Sequence, residues 1–341
     1  MAEEFGEVAR RPAAMTRRER VQAALRGDPV DRTPISLWRH FPGRDGTGEI
    51  LAETTLEFQR RLDLDLIKLM PTGMYSVMDY GVKVRPDDGP SGTTLFASGP
   101  IREPADWQRL PQVFPQRGSL REAVHALRLL RAALGSDLVL IQTVFSPLTM
   151  AAKMVGGDIG PVINGAESQL RGALEKMAED VVAFGQACLE AGADGFFFAT
   201  QHATRTALPE GVYQRLGVPY DLKVLEGLRP GSWCTMIHLH GIGPLFELPD
   251  LYPVDAVNWH DRETEPSLAQ ALSLTRRCLI GGIQRRGAVA TGTPDQVIQE
   301  VGDAIAQTGG RRLIVAPACV IPTAAPFENL LAARRAVEPG R

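Results

Sequence analysis

Cysteine is scarce in this chain: Cys188, Cys234, Cys278 and Cys319 are the only four in 341 residues. They are too few and too far apart for a disulfide framework, so reducing, cytoplasmic conditions are expected. An excess of one charge is missing as well. The 37 Lys and Arg stand against 40 Asp and Glu, a formal net charge of -3, and the basic residues are scattered. Such a chain offers no electrostatic footprint for nucleic acid or anionic lipid. No apolar run reaches the ~20 residues of a membrane span. The opening MAEEFGEVARRPAAMTRR mixes acids with arginines and has no apolar core of a secretory signal. Also absent are a Gly-x-Gly-x-x-Gly turn after a strand, a P-loop, a serine nucleophile elbow and a Cys-x-x-Cys pair. These absences remove the dinucleotide, phosphate-loop, serine-hydrolase and thioredoxin classes and leave a small-molecule substrate as the expectation.

With 44% hydrophobic and 23% charged residues, the chain is long enough for one large domain. Residues 1–14 are expected to be a disordered tail and residues 15–341 a single domain. Thr16-Arg17-Arg18-Glu19 has capping-box spacing ahead of Val21, Ala24 and Leu25, so a first helix is expected to run to Arg26 and stop at Gly27. Beyond it lie eight short, nearly continuous apolar runs: 33–38, 65–70, 137–144, 194–200, 233–239, 255–259, 278–283 and 312–317. Continuous apolar content suits strands buried on both faces of a parallel sheet. Helix-period segments separate them over 48–62, 118–134, 165–192, 208–229, 265–274, 294–308 and 325–337. Residues 74–101 alternate around a DDGPSG turn and predict an antiparallel hairpin inserted after the second run and lying over the barrel mouth. The pattern predicts an α/β fold, a (β/α)8 TIM barrel, with a doubly wound sheet as the rival.

In such a barrel, chemistry belongs just past the strands. Polar residues gather there: Arg39, His40 and Arg44 after the first run, Lys68 in the second, Gln142 in the third, and Gln201, His202 and Arg205 after the fourth. His238 and His240 close the fifth, His260, Asp261 and Arg262 follow the sixth, Arg285 and Arg286 the seventh, and Cys319 the eighth. Residues two apart on a strand share a face, so His238 and His240 can both point into the mouth with Cys319 opposite. Two imidazoles, one thiol and a vacant fourth position suit a catalytic zinc. Hydrogen bonding to substrate or backbone, with Cys319 an ordinary loop thiol, is the other account of the same residues. The remaining cysteines read as core packing. Arginine forks recognise carboxylates, so Arg39, Arg44 and Arg262 are candidates to hold an anionic substrate, alongside His40, Lys68, Gln142, Gln201 and His202. Arg285 and Arg286 read equally as rim salt bridges. His260 and Asp261 are candidate acid–base groups, although strand neighbours point to opposite faces.

Several segments resemble the uroporphyrinogen decarboxylase superfamily from about residue 16 to 338. RERVQAALRGDPVDRTPISLW is similar to its amino-terminal helix, turn and first strand, SPLTMAAKMVGG to its Pro-Phe-Thr-Leu-Ala stretch, and PTAAPFENL to its Thr-Pro-x-Glu-Asn helix start. The resemblance implies one barrel with two chemistries, cofactor-free decarboxylation of uroporphyrinogen and zinc-dependent methyl transfer to or from a cobalamin carrier. The decarboxylase Arg-Gln-Ala-Gly-Arg motif corresponds to Arg39 through Arg44 with one extra residue. Its aspartate falls near Thr72 and its tyrosine on Lys153. The methyltransferase ligands His-x-Cys and Cys correspond to His238, His240 and Cys319. The resemblance therefore implies a methyltransferase-like enzyme with zinc, a corrinoid protein as partner and a homodimeric state. The alternatives are a decarboxylase using Asp79 or Asp261, and a non-catalytic tetrapyrrole-binding protein.

Overall fold

The structure is a computed structural model that describes residues 14–87, 89–209 and 211–338. Of the expected tail over 1–14, all but Ala14 lies outside the described residues. Nine strands follow in chain order: β1 (Leu66–Leu69), β2 (Lys83–Pro86), β3 (Thr94–Ser98), β4 (Val139–Phe145), β5 (Gly195–Thr200), β6 (Cys234–Leu239), β7 (Ala256–Trp259), β8 (Cys278–Ile283) and β9 (Leu313–Pro317). Seven of them form one sheet in the order β1-β4-β5-β6-β7-β8-β9. Every neighbouring pair in it is parallel. All residues of these strands are buried. This is why their sequences show no alternation: both faces are covered, one by the interior and one by helices. The result is an α/β fold whose parallel sheet curls in the manner of a TIM-like barrel.

The sequence predicts eight strands in the sheet, and the first run, 33–38, does not form a regular one. It makes a single parallel bridge, Ile35 to Val315 of β9. Ser36 N–H donates to Val315 O at 2.9 Å, and Asp65 N–H, just ahead of β1, donates to Ile35 O at 3.0 Å. The segment is thus bonded toward both edges of the sheet. Two features interrupt its ladder. Pro34 has no N–H to give, and Ile35 N–H is taken by the Asp65 carboxylate at 2.9 Å. Asp65, fully buried, is itself held by Arg20 at 2.6 Å and Arg32 at 2.7 Å.

The helices begin and end on the expected chemistry. Thr16 and Glu19 form a capping box for helix Arg17–Arg26, which stops at Gly27 in a left-handed conformation with φ 77°. Thr293 and Pro294 open helix Pro294–Thr308 in the same capping style. Two elements depart from expectation. The predicted hairpin over 74–101 is realised only by β2 and β3, which pair antiparallel, while Tyr75–Met78 forms a short helix. Helix Pro147–Met154 lies outside the expected helix-period segments: every residue except Lys153 is buried, and a helix covered on all sides carries no apolar stripe. Among the described residues no helix is long and apolar enough to cross a membrane.

Candidate metal centre and its cavity

Parallel strands bring their carboxyl ends to one rim, and four donors meet there. His238 lies in β6, His240 one residue past it, His260 directly after β7, and Cys319 two residues past β9. One ligand atom from each lies within 4.8 Å of all the others. The register explains the convergence, since His238 stands opposite Asn258. Two residues further along each chain, His240 and His260 meet edge to face with ring centroids 4.9 Å apart. His238 Nε2 is 3.4 Å from His240 Nδ1, and Cys319 Sγ is 3.7 Å from the same nitrogen.

Each of two rings is anchored from behind. His238 Nδ1 meets Asn258 Oδ1 at 2.6 Å, and Asn258 is fixed by donating to Ile280 O at 2.8 Å. His260 Nδ1 meets Glu263 Oε2 at 3.0 Å. Both rings therefore turn Nε2 toward the cluster, and His260 Nε2 is buried there with no hydrogen-bond partner. Burial lowers the His238 pKa to about 4, which leaves the ring neutral and able to ligate. Burial pushes the Cys319 thiol up, but the surrounding His238, His240 and His260 rings outweigh it and hold the thiol well below its usual value. A neutral His238, a thiol with a lowered pKa, an orphaned buried nitrogen and outer-shell partners on two rings fit the donor set and support that zinc requires. His238, His240, His260 and Cys319 are the residues that would hold the ion.

His238, His240 and Cys319 of this cluster form part of the wall of a cavity of about 220 Å³. Lys68, Lys153, Arg285 and Arg286 also line it, and no carboxylate is among its described lining residues. Lys68 is buried, with its ammonium 4.5 Å from the Phe197 ring centroid and 5.3 Å from that of Trp38. Burial lowers its pKa to about 7. Lys153 donates to Gly73 O at 3.0 Å and lies 4.5 Å from the Phe145 centroid. Ser91, Thr93 and Thr94, from the hairpin turn and β3, contribute to the wall.

His40, Lys68, Gln201, His238, His240 and Cys319 are the expected site residues that meet at this cavity. The others are placed elsewhere, each with its own protein partner or burial. Arg39 donates to Thr323 O at 2.6 Å, and Arg44 pairs with Glu57 at 2.9 Å on the surface. Gln142 donates to Thr143 O at 2.8 Å within the core. His202 does not line the cavity, and its Nδ1 is buried without a partner. Arg262 is held by Glu300 at 3.3 Å and Asp303 at 2.9 Å. Asp261 turns away from His260 and accepts from Gly282 N–H at 3.1 Å. Asp79 caps helix Gly118–Leu134, accepting from Ser119 N–H at 2.9 Å. Sequence reasoning passed over Lys153 as a site residue, treated His260 as an acid–base group and not as a fourth donor, and missed Asn258 and Glu263. The last two carried no signal, because only cross-strand register and a loop turn set them behind the histidines.

A sheet curled on itself, with its polar groups gathered at the carboxyl rim, defines a TIM-like barrel protein. The uroporphyrinogen decarboxylase (URO-D) family model matches residues 16–339, and the chain belongs to that family. It is 27% identical over 241 residues to uroporphyrinogen decarboxylase of Alkalilimnicola ehrlichii, a match over 63% of this chain and 64% of that protein. The matched stretch therefore spans just under two thirds of that relative's length. Methylcobamide:CoM methyltransferase of Methanosarcina acetivorans is 20% identical over 333 residues, 92% of this chain and 95% of that one. Among solved structures, a methyltransferase from Methanosarcina mazei superposes with a TM-score of 0.82 at 20% identity, covering 94% of this chain and 98% of that one. Relatives of both chemistries thus flank this chain, and the structural likeness speaks for the fold.

Proposed function

We propose that this chain is a zinc-dependent, methyltransferase-like enzyme of the URO-D family that moves a methyl group between a small anionic thiol and a corrinoid carrier in the cytoplasm. We take residues 15–341 as one (β/α)8 barrel domain in which segment 33–38 fills the eighth strand position and the hairpin lies over the mouth. The observation that carries the functional reading is the meeting of His238, His240, His260 and Cys319, three of which line a cavity that also holds Lys68, Lys153, Arg285 and Arg286 and no described carboxylate. Zinc bound there supplies a lowered thiol pKa, so that sulfur reacts as thiolate. A catalytic zinc keeps one position open for substrate, and the four donors here are one more than that needs. His238 and His260 are braced by Asn258 and Glu263. His240 has no such brace among the described residues and would be the least firmly held of the four donors. Lys68, Lys153, Arg285 and Arg286 hold the anionic end, and the aromatic faces of Trp38, Phe145 and Phe197 exclude water.

The decarboxylase alternative has cationic residues to hold carboxylates, but its candidate acids are engaged elsewhere: Asp79 caps a helix and Asp261 binds Gly282. Size also favours the first reading. A cavity of about 220 Å³ is below the ~300–1,000 Å³ of drug-sized ligand sites, a fit for a small thiol and not for a tetrapyrrole. The test is metal analysis of protein purified without chelator, combined with thiol-dependent demethylation of methylcobalamin using CoM as acceptor. Equimolar zinc and turnover in the wild type, both lost in a folded His238→Ala variant, are expected. Wild-type protein without zinc, or a folded variant with undiminished turnover, overturns the reading. Carbon dioxide release from uroporphyrinogen establishes the alternative.

A further inference from the structure

β1 and β9 are the two edges of the seven-stranded sheet, and one turn ties together the segments that follow them. The turn over residues 90–94 joins β2 to β3. On the β1 side, Gly73 N–H donates to Thr93 Oγ1 at 2.8 Å, and the hydroxyls of Thr72 and Thr94 share a hydrogen bond. On the β9 side, Thr323 N–H donates to Pro90 O at 2.9 Å. Gly92 is buried against that second contact in a left-handed conformation, φ 64°. A Cβ added there would run into Thr323 Cγ2 and lie 2.6 Å from Pro42 Cγ. Pro90, Ser91, Thr93 and Thr94 line the cavity, so the turn crosses its wall between the two edges.

The segment on the β9 side is also the one that carries Cys319. Of the four donors, Cys319 stands furthest from a strand, and Val320 and Pro322 line the cavity beside it. Ile321 N–H donates to Trp38 O at 3.2 Å and Arg39 to Thr323 O at 2.6 Å, contacts that do not involve the turn. The turn itself is weakly held, since no residue of β2 or β3 is buried and the two strands form a sheet of their own. A lone two-stranded hairpin is marginal in water, and segments with little buried apolar surface open first.

We propose that residues 90–94 form a strap latched on Thr323, and that releasing the latch opens the cavity and frees the Cys319 segment in one movement. Thr323 is then a positioning residue for Cys319, acting through the backbone of residues 319–323. Trp38 and Arg39 keep their hold as the strap leaves, so the segment swings about them and does not unravel. The inference goes beyond the proposed function and stands whether or not the centre holds zinc, because it concerns the route to a sulfur and not the reaction there.

The experiment measures how fast Cys319 reacts with two uncharged reagents, the small methyl methanethiosulfonate and the bulky pyrenylmaleimide. Cys188, Cys234 and Cys278 are buried and Cys319 is partly exposed, and peptide mapping verifies the labelled site. Rates are taken in chelator, so failure of the zinc reading leaves the test intact. Gly92→Ala drives a wedge into the latch and is expected to speed the bulky reagent about tenfold or more, and the small one less. Gly309→Ala is the control, since Gly309 has a left-handed φ of 61° but open space around it, giving backbone strain without a wedge. Hydrogen exchange reads the coupling: peptides spanning 90–94 and 319–323 should both exchange faster in Gly92→Ala. Thr323→Gly withdraws the methyl and hydroxyl from the same contact and serves should the wedge disturb the fold, which circular dichroism verifies. A bulky-reagent rate unchanged in the folded variant, or raised equally in Gly309→Ala, overturns the strap. Faster exchange in 90–94 alone overturns its coupling to Cys319.

Discussion

The two walls of the cavity differ in how their polar groups are satisfied. On the side of β6, β7 and β9, His238 and His260 are each backed by a protein acceptor, Asn258 or Glu263. On the side of β1 and helix Pro147–Met154, Lys68 and Lys153 rest on aromatic rings and face no described carboxylate within the cavity. The first wall is preorganised by its own outer shell, as metal sites are. The second is incomplete without a ligand, and the fold bears that cost in advance. On the first wall, Glu263 touches His260 with one oxygen and lies 3.8 Å from Arg285, a cavity residue after β8, with the other.

The sharpest way to break this contrast is to remove the unpaired charge. Burial lowers Lys68 from the ordinary lysine value to about 7, so between pH 7 and about 10.5 the unfolded chain binds a proton that the folded one does not. Stability then rises with pH across that window, and below it the full penalty remains. Relative to wild type, Lys68→Met should be more stable by a few kcal/mol at pH 7, at about 1.4 kcal/mol per unit of pKa, and the gap should close toward pH 10. Chemical denaturation of both proteins at pH 7 and 9.5 measures it, and a gap independent of pH breaks the account. Next in size is the braced wall. Glu263→Ala should weaken zinc binding about 10- to 100-fold in chelator competition while leaving titration with ethanesulfonate within a few-fold of wild type. Equal losses in both assays would mean that the walls are not separate. The smallest effect is expected outside both. Arg262→Ala, which removes ion pairs to Glu300 and Asp303, should cost about 1–3 kcal/mol in thermal or denaturant unfolding and leave zinc and anion binding unchanged.

Much of the fold was legible because strands buried on both faces write themselves as continuous apolar runs. Segment 33–38 has such a run and still forms only one bridge: Pro34, visible in the sequence, lacks a donor, and the Asp65 carboxylate takes the Ile35 N–H, a tertiary event with no local signature. Helix Pro147–Met154 escaped for the opposite reason, being too uniformly buried to show a period. In the site, the two-residue spacing of His238 and His240 could be read from the chain because strand geometry is local. The role of His260 could not, since it depends on which residue of β7 stands opposite His238. Arg39, Arg44 and Arg262 follow strands in sequence yet turn to partners outside the cavity. Position along a chain gives distance from a strand end and says nothing of the direction a long side chain takes.

The parallel register of β6 and β7 makes His238, Asn258, His240 and His260 the corners of a two-by-two grid. On such a grid, one corner can change its atom type without moving the backbone, and His240→Cys would add a thiolate and shift the centre's charge by one. The electronic softness of the metal environment is therefore adjustable one codon at a time on a scaffold that stays still.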